Sequence, residues 1–349
     1  MHGDKYVSTF NRRSPAFHIS TTFKQKLTRS LLMAATGMML SLSAAVATAD
    51  EYPSRPIRLV VPFTAGGGTD VTSRLVAEQL GRKLGQSLII DNRPGASGAI
   101  GAGAVAREKP DGYTLLVGTA ALAASSVVEG MKTPFDLLKD FEFIGKLGKI
   151  DLVVVVRGQS SIRNLQDLVN LMKTQPGKVQ FGSPGIGAPA HLGGELFRLV
   201  TKSSALHVPY KGESAALNDL LGGQITFQLC APLICGPRIK DGSLRALAVT
   251  AKERSKALPD VPTMAEAGVP GVEVGTWYYL AAPKGTPAEV VKKVNAALND
   301  VLADEQLRAR LLAAGVEAAK RTTPAEVKQG LEAEMAKWRP VVKMANITN

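Results

Sequence analysis

The sequence predicts an α/β protein of two lobes, each a mainly parallel sheet flanked by helices, with a cleft between them. Three observations carry this expectation. Short β-rich runs alternate with amphipathic stretches, the pattern of parallel sheets covered by helices. Two glycine-rich loops, at 63–69 and 183–188, each lead from a strand into a helix. A buried strand, a polar turn and an amphipathic helix occur at 152–173 and again at 277–302, so the chain leaves one lobe and later returns to it. At 349 residues the chain is long enough for about two domains.

The chain opens with Lys5, Arg12, Arg13, Lys24, Lys26 and Arg29 against one acid, Asp4, and then carries no charge from Ser30 to Ala49. The apolar part, Leu31 to Leu42, gives way to small residues ending in Ala47-Thr48-Ala49. This is the form of a secretory signal peptide, expected over 1–49 with cleavage after Ala49. The alternative is an uncleaved anchor, but Gly, Ser and Thr dilute the run. Its removal leaves 36 basic and 29 acidic residues, a net charge of +7 over 300 residues. There is no Lys/Arg run and no basic strand interleaved with aromatics, so no nucleic acid is expected as partner. No later segment is long and apolar enough to cross a membrane, and the mature chain is expected to be soluble outside the cytoplasm.

In the mature chain, Ile57 to Phe63 reads as a strand and Asp70 to Leu84 as a helix, with Val71, Leu75, Val76, Leu80 and Leu84 near one face. Leu88 to Asp91 and Thr114 to Gly118 are further strands around a small-residue helix, Gly98 to Glu108. Asp151 to Arg157 is apolar enough to be buried on both faces, and the helix Asn164 to Lys173 follows. Strands then recur at 179–182, 206–210, 225–229 and 244–250, with helices near 191–200 and 214–221. After a proline-rich loop, Trp277 to Ala282 is strand-like and is followed by a long helix through Leu302 and a terminal helix from Pro324 to about Lys337. The expected lobes are 50–150 with 276–349, and 151–275.

The first loop, Phe63-Thr64-Ala65-Gly66-Gly67-Gly68-Thr69, runs straight into a helix. Its glycines leave main-chain N–H groups uncovered, and the helix start adds unpaired donors and partial positive charge, a combination that suits an anion. Asp70 reads as a cap, since its carboxylate would repel such a ligand. The second loop, Ser183-Pro184-Gly185-Ile186-Gly187-Ala188, has the same design and opens the helix near His191. Two such loops facing across a cleft would grip a carboxylated molecule from both sides. His191 is either a donor to that ligand or a side chain satisfied at the helix start. Tyr210, Lys211 and Gly212 end a strand, with the Tyr210 hydroxyl or the Gly212 N–H in reach of a ligand, or Lys211 simply in solvent. Trp277, Tyr278 and Tyr279 are expected chiefly to pack between lobes.

Other chemistry is poorly supported. Gly101 to Ala106 and Gly185 to Ala190 match G-x-G-x-x-A, but the first lies inside a helix and the second holds Pro189 where a helix should be running. No phosphate loop, nucleophile elbow or zinc helix occurs. His191 and His207 are the only mature histidines, so a Ser-His-acid triad would need one of them. Cys230 and Cys235 cannot build a four-thiolate zinc site or a disulfide framework; they are either a buried small residue and a loop thiol, or a pair. No cofactor, metal or catalytic residue is expected.

The chain resembles the periplasmic solute-binding proteins of tripartite tricarboxylate transporters, the Bug family, over nearly its whole mature length. The likeness is carried by Tyr52-Pro53, Pro62-Phe63-Thr64-Ala65-Gly66-Gly67 with Asp70 and Arg74, Asn92-Arg93-Pro94-Gly95, and Lys109-Pro110-Asp111-Gly112-Tyr113. It continues in His207-Val208-Pro209-Tyr210-Lys211-Gly212, Leu244 to Thr250, and Leu258-Pro259-Asp260-Val261-Pro262-Thr263. The resemblance implies a two-lobe type II periplasmic binding protein, a Venus flytrap acting as a monomer, that takes a small carboxylate: a dicarboxylate, tricarboxylate, amino acid or aromatic acid. It implies delivery to the permease subunits of a membrane transporter. Ligand contacts carry over to Phe63 through Thr69, Thr119 and Ala120, Ser183 through Ala188 with His191, and Tyr210 through Gly212. Thr226 stands where relatives usually have an Asp, and the run Ala120 to Ala124 after Thr119 lacks the Asn-Pro often seen in them; either change bears on ligand choice. The other readings are a sensor subunit for a membrane signalling protein and, less favoured, a hydrolase or dinucleotide-dependent enzyme.

Overall fold

The chain enters its first sheet at β1 (Ile57–Val61), crosses through α1 (Gly68–Leu84) to β2 (Leu88–Asn92), and returns through α2 (Ala99–Ala106) to β3 (Thr114–Thr119). Both neighbours pair parallel to β1, as helical crossovers require. This computed structural model describes residues 51–128, 130 and 133–347, so the leader expected over 1–49 lies outside the described residues. All elements belong to one unit that begins at Tyr52.

A short helix, α3 (Ala120–Ser125), follows β3. Next come β4 (Phe141–Asp151) and β5 (Val153–Arg157), with only Leu152 between them. The second half continues as α4 (Leu165–Thr174), β6 (Gln180–Ser183), α5 (Pro189–Thr201), β7 (Leu206–Pro209), α6 (Glu213–Gly222), β8 (Phe227–Cys230), α7 (Pro232–Lys240) and β9 (Leu244–Val249). The chain then returns through 250–274 to β10 (Gly275–Pro283), α8 (Ala288–Val301), α9 (Glu305–Ala313), β11 (Glu317–Ala318) and α10 (Pro324–Met344). Strand order is β11-β4-β10-β3-β1-β2 in one sheet and β7-β6-β8-β5-β9 in the other.

The two crossings predicted from the repeated pattern are present, at Leu152 and at 250–274. The expectation of mainly parallel sheets needs correction, because both sheets are mixed. β10 runs antiparallel to β3 and β4, and β5 antiparallel to β8 and β9. The reason lies in the crossings. A strand that enters from the other lobe starts at the seam, where strands fed by crossover helices end, and so it runs against them.

Burial follows the strand period. Val153 and Val155 pack on one face of the second sheet and Val154 and Val156 on the other, which accounts for the unbroken valine run. The final helix serves both cores. Its capping box, Thr323 with Glu326, sets the start. Val327 and Leu331 then pack beside Phe143 and Tyr279 of the first sheet, while Trp338, Val341 and Val342 pack with Leu192 and Phe197 of the second. The end of α10 thus sits with the second core, although the expected division counts all of 276–349 with the first.

The crossings are tied together. Thr250 N–H donates to the Leu152 carbonyl at 2.8 Å, and Val274 N–H donates to the Thr250 carbonyl at 2.9 Å.

Candidate ligand-binding site

The loop between β1 and α1 is folded back on itself. Gly66 has φ +80, a conformation suited to glycine, and Gly67 is the N-cap. Asp70, 2% exposed, accepts the Gly66 N–H, Asn92 Nδ2 and Arg74 Nε, each at 2.9 Å. Burial pushes its carboxyl up, but these donors outweigh it and the net shift is downward. Asp70 therefore clasps the loop to Asn92 and Arg74. Gly67 N–H is turned inward too, toward the Thr64 carbonyl at 3.4 Å. The donors left at the mouth of α1 are the Gly68, Thr69 and Asp70 N–H groups, because the first helical bond is made by Val71.

These donors face β10. A Cβ on Gly68 would stand 3.5 Å from the Tyr278 hydroxyl and 4.0 Å from Leu233 of α7, in the other half of the molecule. The Thr69 hydroxyl lies beside the Tyr278 phenol. Tyr278 is paired in register with Thr119, whose buried hydroxyl has no partner. Ala120 is buried at the start of α3, and Phe63 packs over Gly98. Thr64, Ala65 and Gly66 are exposed.

In the loop between β6 and α5, Ser183 is fully buried, with its Oγ 2.6 Å from His207 Nε2. It also accepts the Gly185 N–H at 3.2 Å. Gly187 N–H donates to His191 Nδ1 at 3.1 Å, which leaves the imidazole proton on Nε2. The His191 and His207 rings stack with centroids 3.7 Å apart. Burial lowers the first to about 4, and burial together with His191 lowers the second to about 3. Both rings are neutral near pH 7. Ser183, Gly187 and His191 thus fasten the loop internally, leaving Pro184, Gly185 and Ile186 half-buried at its tip and Ala188 as the N-cap of α5.

Among the described residues, no carboxylate hydrogen-bonds to the Ser183–His207 pair. A general base needs a pKa near working pH and an orienting acid, whereas His207 is a very weak base and, among the described residues, hydrogen-bonds only to Ser183. Tyr210 is likewise engaged: its hydroxyl donates to Asp219 Oδ2 at 2.8 Å, and burial with that carboxylate raises it to about 12. Lys211 is exposed, and Gly212 is the N-cap of α6.

The residue that sequence reasoning missed is Glu213. Its Oε1 accepts the Ala231 N–H at 2.5 Å, burial pushes its carboxyl up, and its charge acts on Tyr278. Gln228 Nε2 approaches the Glu213 carbonyl at 3.4 Å, while Gln228 Oε1 is buried without a partner. An acid in a helix's first turn reads as an ordinary solvated start, so only the fold reveals it at the seam. Thr226, by contrast, bonds Gln180 just before β8, at the end of the second sheet away from these loops.

Cavities of about 590 and 530 Å³ lie elsewhere, the first beside α1 and the edge strand β2, the second between α7 and the turn after α9. Neither includes the glycine loops, so the site is located by its polar groups. Gly101 is small for packing, since a Cβ there would meet Pro62 at 2.7 Å. Cys230 and Cys235 are free and buried. Among the described residues, no three metal-ligating side chains cluster and no helix is long and apolar enough to cross a membrane.

Two α/β halves joined by paired crossings, with polar helix starts from both meeting at the seam, define the class: a two-lobe solute-binding protein. The chain belongs to the tripartite tricarboxylate transporter receptor family, whose model, described as "Tripartite tricarboxylate transporter family receptor", matches residues 72–347. It is 37% identical over 339 residues to a UPF0065 protein of Bordetella bronchiseptica, covering 97% of this chain and 99% of that one. Among solved structures it is similar to Rpa4515 of Rhodopseudomonas palustris with adipate (34% identity, TM-score 0.80, 85% of this chain and 99% of that one). It is also similar to MatC of the same species with bound malate (32% identity, TM-score 0.75, 83% and 100%).

Proposed function

We propose that this protein is an exported receptor that captures a small carboxylate between its lobes and hands it to a membrane permease of the tripartite tricarboxylate type. The observation that carries the reading is the seam itself: the open N-terminus of α1, with Thr69 and Tyr278, confronts Glu213 at the start of α6 from the opposite half. Unpaired N–H groups at a helix mouth are ready donors to a carboxylate. Relatives crystallised with adipate and malate support the same ligand class. Phe63 through Thr69, Thr119, Ala120 and the tip of the second loop, Pro184 to Ile186, form the walls in this reading. Gly187 and His191 hold the loop's shape, and Tyr210 to Gly212 bring α6 to the site.

The lobes in this reading are 50–150 with 276–337, and 151–275 together with the end of α10. Closure excludes water and strengthens each hydrogen bond to the anion, and the ligand favours the closed form by its differential affinity. No covalent step is involved, and the leader, shaped as a signal peptide, directs the chain to the periplasm. A thermal-shift screen against dicarboxylates, tricarboxylates, amino acids and aromatic acids tests the proposal. Stabilisation by one class at micromolar to millimolar concentration is expected; no shift with any acid would remove it.

A further inference from the structure

We propose that Cys230 and Cys235 form an oxidisable dithiol that closes to a disulfide at the seam between the lobes. Ala231 is the N-cap of α7, so Cys230 stands one position before the cap and Cys235 in the first turn. Side chains at these two positions pack against each other at a helix start. Both thiols are buried and free, and both donate to one atom, the Ala231 carbonyl oxygen, at 3.5 and 3.2 Å. Cys235 is also a hydrogen-bond partner of the Cys230 thiol. Two sulfurs gathered on one oxygen are neighbours, the arrangement a disulfide between them requires. The chain has no other cysteine to compete for either.

The chemistry is thiol–disulfide exchange with a small or protein disulfide, R–S–S–R, of the oxidising compartment. The Cys235 thiolate attacks one sulfur and releases the first R–SH. The Cys230 sulfur then displaces the second R–SH from the mixed disulfide. Two S–H bonds are lost, one S–S bond is formed in the chain, and the oxidant is reduced to two thiols. Enclosure by Val153, Leu217, Ile225 and Leu244 shields the pair in the finished fold, so exchange takes place as the chain folds.

The position gives the bond a consequence. In the dithiol state the Cys230 thiol contacts Glu213, whose carboxylate also holds the Ala231 N–H. Closing the disulfide withdraws that thiol and rings the segment Ala231 to Ile234, of which Ala231 and Leu233 pack against the core of the first sheet. The inference draws on the proposed export only for its oxidant and is independent of the ligand.

The test is to refold the full chain with oxidised glutathione, denature it, titrate thiols and measure the intact mass. The wild type should show no titratable thiol and a mass lower by two hydrogens, and Cys235→Ala should carry one glutathione. Two titratable thiols at unchanged mass, or two glutathione adducts on the wild type, would overturn the proposal. Because thiols and mass are read rather than binding, failure of the carboxylate reading leaves this result interpretable.

Discussion

The Thr250 hydroxyl clasps Leu152, accepting its N–H at 3.0 Å and lying 2.9 Å from its carbonyl oxygen. It also reaches the Val274 carbonyl, so one buried side chain ties both strand crossings. Thr250→Val keeps the shape but deletes these bonds. The expected loss is about 1–3 kcal/mol of stability, the usual result of stranding buried polar groups, read as a lower denaturant midpoint; Thr250→Ser should lose less. An unchanged midpoint for the valine variant would show that the clasp adds nothing to stability.

Gly67 and Gly187 separate the roles of two glycines. Gly67 has φ −75 and ψ 167, and a Cβ there meets only the Thr64 carbonyl at 3.4 Å, so valine is tolerated by the backbone. Gly67→Val should fold normally yet lose ligand-induced thermal stabilisation by crowding the mouth of α1. Gly187, buried with φ +74, should instead lose folding stability when replaced by valine. Retained ligand stabilisation in Gly67→Val would move the site away from this loop.

Glu213 places a half-buried acid beside the proposed anion site. Burial raises its carboxyl, so protonation persists to higher pH than usual, and ionisation then opposes a bound dianion. Glu213→Gln should tighten dicarboxylate binding at pH 8 by about 1 kcal/mol, roughly fivefold in Kd. Calorimetry from pH 5 to 8 should show weakening in the wild type and a flatter profile in the variant. Equal profiles would place Glu213 away from the ligand.

The stacked histidines predict acid sensitivity. Both have folded values below the ordinary 6.5, about 4 for His191 and about 3 for His207. The unfolded chain therefore takes up protons first, and stability present above pH 6.5 is lost as pH falls toward those values. Thermal midpoints should drop between pH 6.5 and 5, before most carboxylates titrate, and His191→Phe should flatten that drop. A wild-type midpoint constant over this interval would contradict the buried, neutral assignment.

Much of this fold was legible along the chain. β1 and α1, the valine run of β5 and the capped start of α4 are local: period, glycine and capping residues sit within a few positions of each other. The eleven-residue β4 was missed because its run, F-E-F-I-G-K-L-G-K-I-D, breaks alternation with two glycines. Those glycines suit the close approach of neighbouring segments of the chain; a Cβ on Gly148 would meet the Glu317 carbonyl at 2.7 Å. α7 was missed because Pro237 interrupts its pattern.

The candidate site divides differently. The sequence by itself determined the two strand-to-helix glycine loops, the family to which they belong and the two chain crossings, since each is written in contiguous residues. Only the tertiary structure decided which donors remain available, because Asp70, His191 and Asp219 take up Gly66, Gly187 and Tyr210 through contacts whose geometry the spacing does not specify. It alone brought Glu213 toward Tyr278, residues 65 positions apart in the chain. Local propensity describes how a segment folds, whereas the partner of a polar group depends on which other segment arrives beside it, and that is settled by packing.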